Sequence, residues 1–247
     1  MPTKHNPGLH DFVLRLMKDE KPGKLLDVPS GPGYFSQAAE KQGHKAVAAE
    51  IDESLHVFKD VTYKKVNMSR KFPFKAKDFD YIVSIEGIEH TENQYLFLRE
   101  CSRALKKGGK LFLTMPCSSS LENRLQYLIT GFLEHPPKVI RDDTPNLFME
   151  HINLMPFQRL ETFLRFSGFE IQSLHAGAWR KGSLLLLPFI YPFTWVKYRN
   201  YFHRYYKGKP NEEYYWKIYK QNMNLKVICG KPHIIVAKKI AEPRTDD

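Results

Sequence analysis

Glu86, Glu89 and His90, in SIEGIEHTEN, stand at i, i+3 and i+4. In a helical turn this spacing places all three side chains on one face. Two carboxylates and an imidazole suit Mg, Mn or Zn, and a divalent ion there would lower the pKa of a bound hydroxyl. With no metal, His90 can act as a general base or position a substrate. A third reading is local hydrogen bonding that only shapes the loop. A second group lies earlier, in LLDVPSGPGYFSQAAEKQGHKAVAAEID. Gly31 and Gly33 let backbone approach a ligand and permit a positive φ, and the helix that follows offers free N–H groups to a carboxylate or phosphate. Glu50 ends the next apolar run, where a carboxylate can grip a ribose diol. The bland alternative is a sharp strand-to-helix turn beside an exposed acid.

These groups need a scaffold, and the hydrophobic pattern supplies one. Short β-rich runs alternate with helical periods, the arrangement of a parallel sheet covered on both faces. Residues 9–18 read as a leading amphipathic helix with Leu9, Phe12, Val13, Leu16 and Met17 on one face. Strands are expected at 24–28, 45–50, 63–67, 79–85, 110–115, 169–175 and 233–240. Helices are expected from the glycine turn to about Lys41, from near Glu53, and over 91–105, 121–129 and 156–167. Gly108 and Gly109 read as the C-terminal stop of the 91–105 helix.

LLDVPSGPGYFS, VAAEID, FDYIVSIEGIEH, LKKGGKLFLTMP and HINLMPFQRLETFLRFSGFEI follow one another along the chain. In these motifs the chain resembles the class I S-adenosylmethionine-dependent methyltransferases, over most of residues 20–178 and the last strand. The resemblance implies a Rossmann-like α/β sheet of seven strands, the last antiparallel. It also implies that Asp27, Gly31 and Gly33 surround the methionine end of the cofactor and that Glu50 holds the ribose. Asn67 takes the adenine-contacting place, with Met68 offering an apolar face. The chain departs from the pattern in two respects: Pro29 and Pro32 stiffen a turn that is more often GxGxG, and Asn67 stands where Asp is common. The ExxEH segment is similar to those of ubiquinone-pathway O-methyltransferases and small-RNA 2′-O-methyltransferases. The latter use a further histidine just before a late helix, and His151 occupies the corresponding place. The resemblance thus implies His90, Glu86 and His151 as catalytic residues, and Glu86, Glu89, His90 and His151 as ligands for a possible divalent metal.

Between the last two expected strands lies an insertion, residues 179–230, dense in Phe, Tyr, Trp, Lys and Arg. Its apolar centre, Leu184 to Leu187 with Phe189, Ile190, Phe193 and Trp195, is flanked by Arg180 and Lys181, then Lys197, Arg199, Arg204, Lys207 and Lys209. Such a segment can cap a pocket, rest in the headgroup boundary of an anionic membrane, stack on single-stranded RNA or form a dimer interface. Pro188 and Pro192 interrupt it, and no uncharged stretch reaches spanning length. A second insertion, 117–155, falls on the expected substrate side, where Arg124 and Tyr127 either line an acceptor pocket or belong to a solvated helix face.

The sequence has 247 residues, and its 38 Lys+Arg against 27 Asp+Glu leave a net charge of +11. That surplus favours an anionic partner, nucleic acid or an acidic membrane surface. With 42% hydrophobic and 26% charged residues, general disorder is excluded. Cys101, Cys117 and Cys229 form no CxxC pair, the usage of a reducing compartment. The first residues lack the apolar core and small-residue cleavage site of a secretion signal. The expected molecule is one elaborated domain over 1–247, with a leading helix at 1–20. It is expected in the cytoplasm, with a peripheral place on the membrane. The leading functional reading is O-methylation of an amphipathic or lipid-linked small molecule. The alternatives are RNA 2′-O-methylation and a non-catalytic scaffold of the same fold.

Overall fold

The computed structural model describes residues 7–133 and 151–244. Seven strands form one sheet: β1 (Lys24–Asp27), β2 (Lys45–Glu50), β3 (Thr62–Lys65), β4 (Phe79–Ser84), β5 (Leu105–Met115), β6 (Phe169–Trp179) and β7 (Gly230–Lys239). Their spatial order is β3-β2-β1-β4-β5-β7-β6. The pairs from β3 through β5 are parallel, and β7 runs antiparallel to both β5 and β6. The order reverses between β1 and β4, and in open sheets ligands bind at such a switch point, outside the carboxyl ends of the strands.

Alternation of side chains assigns the two faces. Leu25, Tyr81, Val83, Phe112, Ile234 and Val236 meet α1 (Pro7–Met17) and α2 (Tyr34–Lys41) through Leu9, Val13, Met17, Phe35 and Ala39. Their neighbours Leu26, Ile82, Leu111, Leu113, Ile235 and Ala237 point the other way. They pack on α3 (Gln94–Ala104), α5 (Phe157–Phe166) and α8 (Leu225–Cys229) through Leu98, Cys101, Leu160, Leu164 and Ile228. α4 (Leu121–Thr130), α6 (Lys181–Tyr205) and α7 (Glu212–Asn222) complete the chain.

Four elements differ from the sequence expectation. Near Glu53 there is a single 3₁₀ turn, Glu53–Leu55, because the Asp52 carboxylate accepts the Ser54 N–H at 3.0 Å and closes the turn locally. α3 ends at Ala104, and Gly108, at φ +80°, serves a bulge inside β5 where the register jumps from Phe79↔Leu105 to Tyr81↔Lys110. β6 runs on to Trp179, paired with Gly230 of β7. Finally, Pro188 and Pro192 do not break the apolar segment, which lies within the 25-residue helix α6. Each proline removes one helical hydrogen bond, but Leu186, Leu187, Ile190 and Tyr191 of the same turns pack on the core.

Candidate functional site

At the carboxyl end of β1, Val28 donates its N–H to Val83 O (2.9 Å) and Ser30 donates to Ala49 O (2.9 Å), so the glycine turn is tied to both neighbouring strands. Gly31 has φ +51° and Gly33 φ +90°. Gly33 caps α2, and a Cβ there would stand 3.2 Å from the His56 ring. The Glu50 carboxylate crosses from β2 and accepts the Gly31 N–H at 3.0 Å and the Ile51 N–H at 2.8 Å. Two backbone donors therefore orient it. Burial nevertheless raises its pKa, because those hydrogen bonds offset the desolvation of the charge only in part. Asp27, fully buried at the end of β1, accepts the Ser36 hydroxyl proton at 2.6 Å. Burial pushes the Asp27 carboxyl up to about 7, the Ser36 bond opposing and the Glu50 charge assisting.

Asp27, Gly31, Gly33 and Glu50 thus lie around one turn. Asn67 follows β3 by two residues, half-buried, and its side-chain oxygen accepts the Ser69 N–H at 2.8 Å. Met68 beside it packs against the core cluster. Sequence reasoning missed two residues of this region. Ser36 could have been found as the first-turn hydroxyl facing a buried acid. For His56 no sequence signal exists. Its ring lies 5.0 Å from that of Tyr63, whose hydroxyl donates to Glu50 O at 2.9 Å.

The segment after β4 forms the second half of the site. Glu86 adopts φ +47° and donates its N–H to Thr114 Oγ1 at 2.9 Å. Gly87 follows, packed so closely on Pro29 that a Cβ would meet the proline ring at 2.2 Å. A 3₁₀ turn then covers Ile88–His90, with Gly87 as its cap. Glu86 precedes that turn, so the shared helical face expected for Glu86, Glu89 and His90 does not form. A different trio does: donor atoms of Glu89, His90 and His151 all lie within 4.8 Å of one another. The His90 and His151 rings are 5.0 Å apart, nearly perpendicular.

This trio rests on a hydrogen-bonded clamp. Asn153 donates its N–H to Glu89 O at 3.0 Å, while the Gln94 amide donates to Ile88 O (3.0 Å) and to Asn153 O (2.6 Å). Ser118 Oγ donates to Met155 O at 2.7 Å, fixing the same strip to the segment after β5. Glu89 is buried, His90 half-buried and His151 exposed. Arg124, on α4, is half-buried and Tyr127 exposed, and much of the 117–155 insertion, including 134–150, lies outside the described residues. The cysteines are buried, and burial raises the Cys117 thiol to about 12, which makes it a poor nucleophile.

The sheet order, the antiparallel β7 and the glycine turn facing Glu50 define a class I methyltransferase fold, the class that depends on S-adenosylmethionine. The model of the methyltransferase-domain family matches residues 4–174, and the chain belongs to that family. It is 26% identical over 126 residues to the mitochondrial ubiquinone biosynthesis O-methyltransferase of Rattus norvegicus, covering 44% of this chain and 36% of that one. It is 24% identical over 160 residues to the ubiquinone biosynthesis O-methyltransferase of Nitrosococcus oceani, 61% of this chain and 65% of the relative. The chain thus spans between about a third and two-thirds of the length of these relatives. A SAM-dependent methyltransferase structure from Archaeoglobus fulgidus shares the fold with a TM-score of 0.58 at 16% identity, covering 94% of this chain and 93% of that one.

Proposed function

We propose that the protein transfers the methyl group of S-adenosylmethionine to a hydroxyl oxygen of an amphipathic or lipid-linked small molecule. The observation that carries this reading is the Glu89–His90–His151 trio, clamped across the sheet switch point from the Gly31–Glu50 turn. The likeness to ubiquinone biosynthesis O-methyltransferases supports oxygen as the acceptor.

In the reaction the acceptor oxygen attacks the sulfonium methyl carbon, the C–S bond breaks, and its electron pair stays on sulfur. The acceptor proton must leave, and we assign its removal to the His90 imidazole, half-buried beside the buried Glu89. The glycine turn with Asp27 would hold the methionine end of the cofactor and Glu50 its ribose, which would convert a bimolecular encounter into an aligned displacement.

The trio also fits a divalent cation. One carboxylate oxygen and two imidazole nitrogens are ligand types shared by Mn and Zn, with Mg less well matched. Ligands about 2.1 Å from an ion sit roughly 3–3.5 Å apart, so the trio would contract slightly on binding. Glu89, His90 and His151 would hold the ion, and when bound it would lower the pKa of the acceptor hydroxyl.

The test is methyl transfer from labelled cofactor to a panel of phenolic acceptors with and without a prenyl tail, with a short RNA as a separate arm. His90→Ala is expected to lower kcat by about a hundredfold, within the usual range for a general base, while S-adenosylhomocysteine binding holds. Full activity in that variant would overturn the assignment. Turnover that survives exhaustive chelation would remove the metal and leave His90 as base. Transfer to RNA alone would replace the small-molecule reading with 2′-O-methylation.

A further inference from the structure

Residues 182–196 of α6 contain no charged side chain, and residues 180–209 contain no acid but seven Lys or Arg. A helix apolar around its whole circumference should be buried on every side. This one is buried on one. Leu186, Leu187, Ile190 and Tyr191 face the core, while Leu185, Phe189 and Phe193 stand 74%, 69% and 76% exposed on the opposite side. The stripe continues through Val196, about 16 Å of helix at 1.5 Å per residue. α7 braces only the later turns, through Phe202 against Trp216 (4.7 Å) and Tyr206 against Tyr215 (4.0 Å). α4 lies alongside the earlier turns, its N-terminus joined to them by the Glu122 N–H donating to Ser183 Oγ at 3.1 Å. Leu128 and Ile129 near its other end are themselves 80% and 72% exposed.

The charges define what can cover this face. Arg180 and Lys181 stand at one end, and Lys197 and Arg199 at the other, with the Arg199 guanidinium 5.2 Å from the Trp195 ring centre. Apolar side chains between cations, with tryptophan and tyrosine at the boundary, match the depth profile of a lipid headgroup region. Among the described residues no helix is long and apolar enough to cross a membrane. An uncharged run of 15 residues spans about 22 Å, less than the hydrocarbon core of about 30 Å.

We propose that the outer face of α6 docks on an anionic lipid bilayer, with Leu185, Phe189 and Phe193 entering the headgroup boundary and Arg180, Lys181, Lys197 and Arg199 meeting lipid phosphates. A second copy of the chain would bring the same cations against each other, which disfavours self-association through this face. The segment lies beyond the family match at residues 4–174.

The experiment is co-sedimentation of the intact chain with vesicles of phosphatidylcholine alone or mixed in equal parts with phosphatidylglycerol. Binding is expected on the mixed vesicles, about tenfold weaker on neutral ones, and weakened by added salt. The variant L185S/F189S/F193S removes the apolar anchor and K197E/R199E the cations, and each is expected to cut binding about tenfold or more. S-adenosylhomocysteine binding involves neither set, so its retention shows that both variants are folded and keeps this test separate from the methyl-acceptor reading. The proposal is overturned if the intact chain stays in the supernatant, or if either variant binds as well as the parent. It is equally overturned if the chain is a dimer that the triple variant dissociates.

Discussion

Burial holds the Asp27 carboxyl near pKa 7 even though Ser36 donates a 2.6 Å hydrogen bond that favours the ionised form. The folded value is raised above the ordinary 3.8, so between pH 4 and about 7 the native protein keeps a proton that the unfolded chain has released. The resulting stabilisation is complete below the unfolded pKa and is lost as pH rises through the folded one. Three pKa units correspond to at most about 4 kcal/mol. Asp27→Asn keeps the shape, accepts the same hydroxyl and does not titrate. Its stability, measured by urea unfolding, is expected to lack this contribution, so that from about pH 5 to 8 the parent loses a few kcal/mol relative to the variant. Parallel slopes for the two proteins would rule out Asp27 as the source. At this scale the sequence was partly legible. Glu50 and the two glycines could be picked out because residue type and spacing limit what they can do. Their mutual hydrogen bond could not, since it depends on where β2 lies beside β1. Glu86 shows the same limit: a positive φ and a bond to Thr114 take it out of the trio that His151 completes.

Among the elements, the contact between the two loops of the site decides how well it is held. Gly87 lies against Pro29, and a methyl group there would stand 2.2 Å from a ring that cannot rotate away. The glycine turn and the ExxEH loop therefore set each other's position. Gly87→Ala should force them apart, at about 1–3 kcal/mol for an overpacked contact. The expected result is a lower Tm together with S-adenosylhomocysteine binding weakened about tenfold, read by calorimetry. Unchanged affinity would mean that the loops are placed independently. Strands of alternating or continuous apolar character were legible because burial dictates their pattern. The bulge at Gly108 and the single turn at Glu53–Leu55 were not, because backbone pairing and a local Asp52 cap override helix and stop signals there. α6 was hidden for a related reason: two prolines mark a break locally, and only packing of its inner face carries the helix through them.

For the molecule as a whole, strand direction places the two proposed surfaces at one end. β6 and β5 both run antiparallel to β7 and so share a direction with β1 and β4. β5 ends at Met115 opposite His233, which also faces Ala176, and β6 continues three residues further before α6 begins. α6 therefore leaves the sheet at the carboxyl end, where the glycine turn and the Glu89–His90–His151 trio also lie. An acceptor anchored in a bilayer could then reach the cofactor without its tail entering water, whereas a soluble acceptor would gain nothing from the docking face. If both proposals hold, L185S/F189S/F193S should lower turnover of a long-tailed phenolic acceptor presented in anionic vesicles by about tenfold, in step with lost membrane binding. Turnover of a tailless phenol in solution should stay within about twofold, because the three side chains are largely exposed on the outer face of α6. An equal loss on both acceptors would make α6 a cover for the acceptor pocket. No loss on either would separate membrane attachment from substrate delivery.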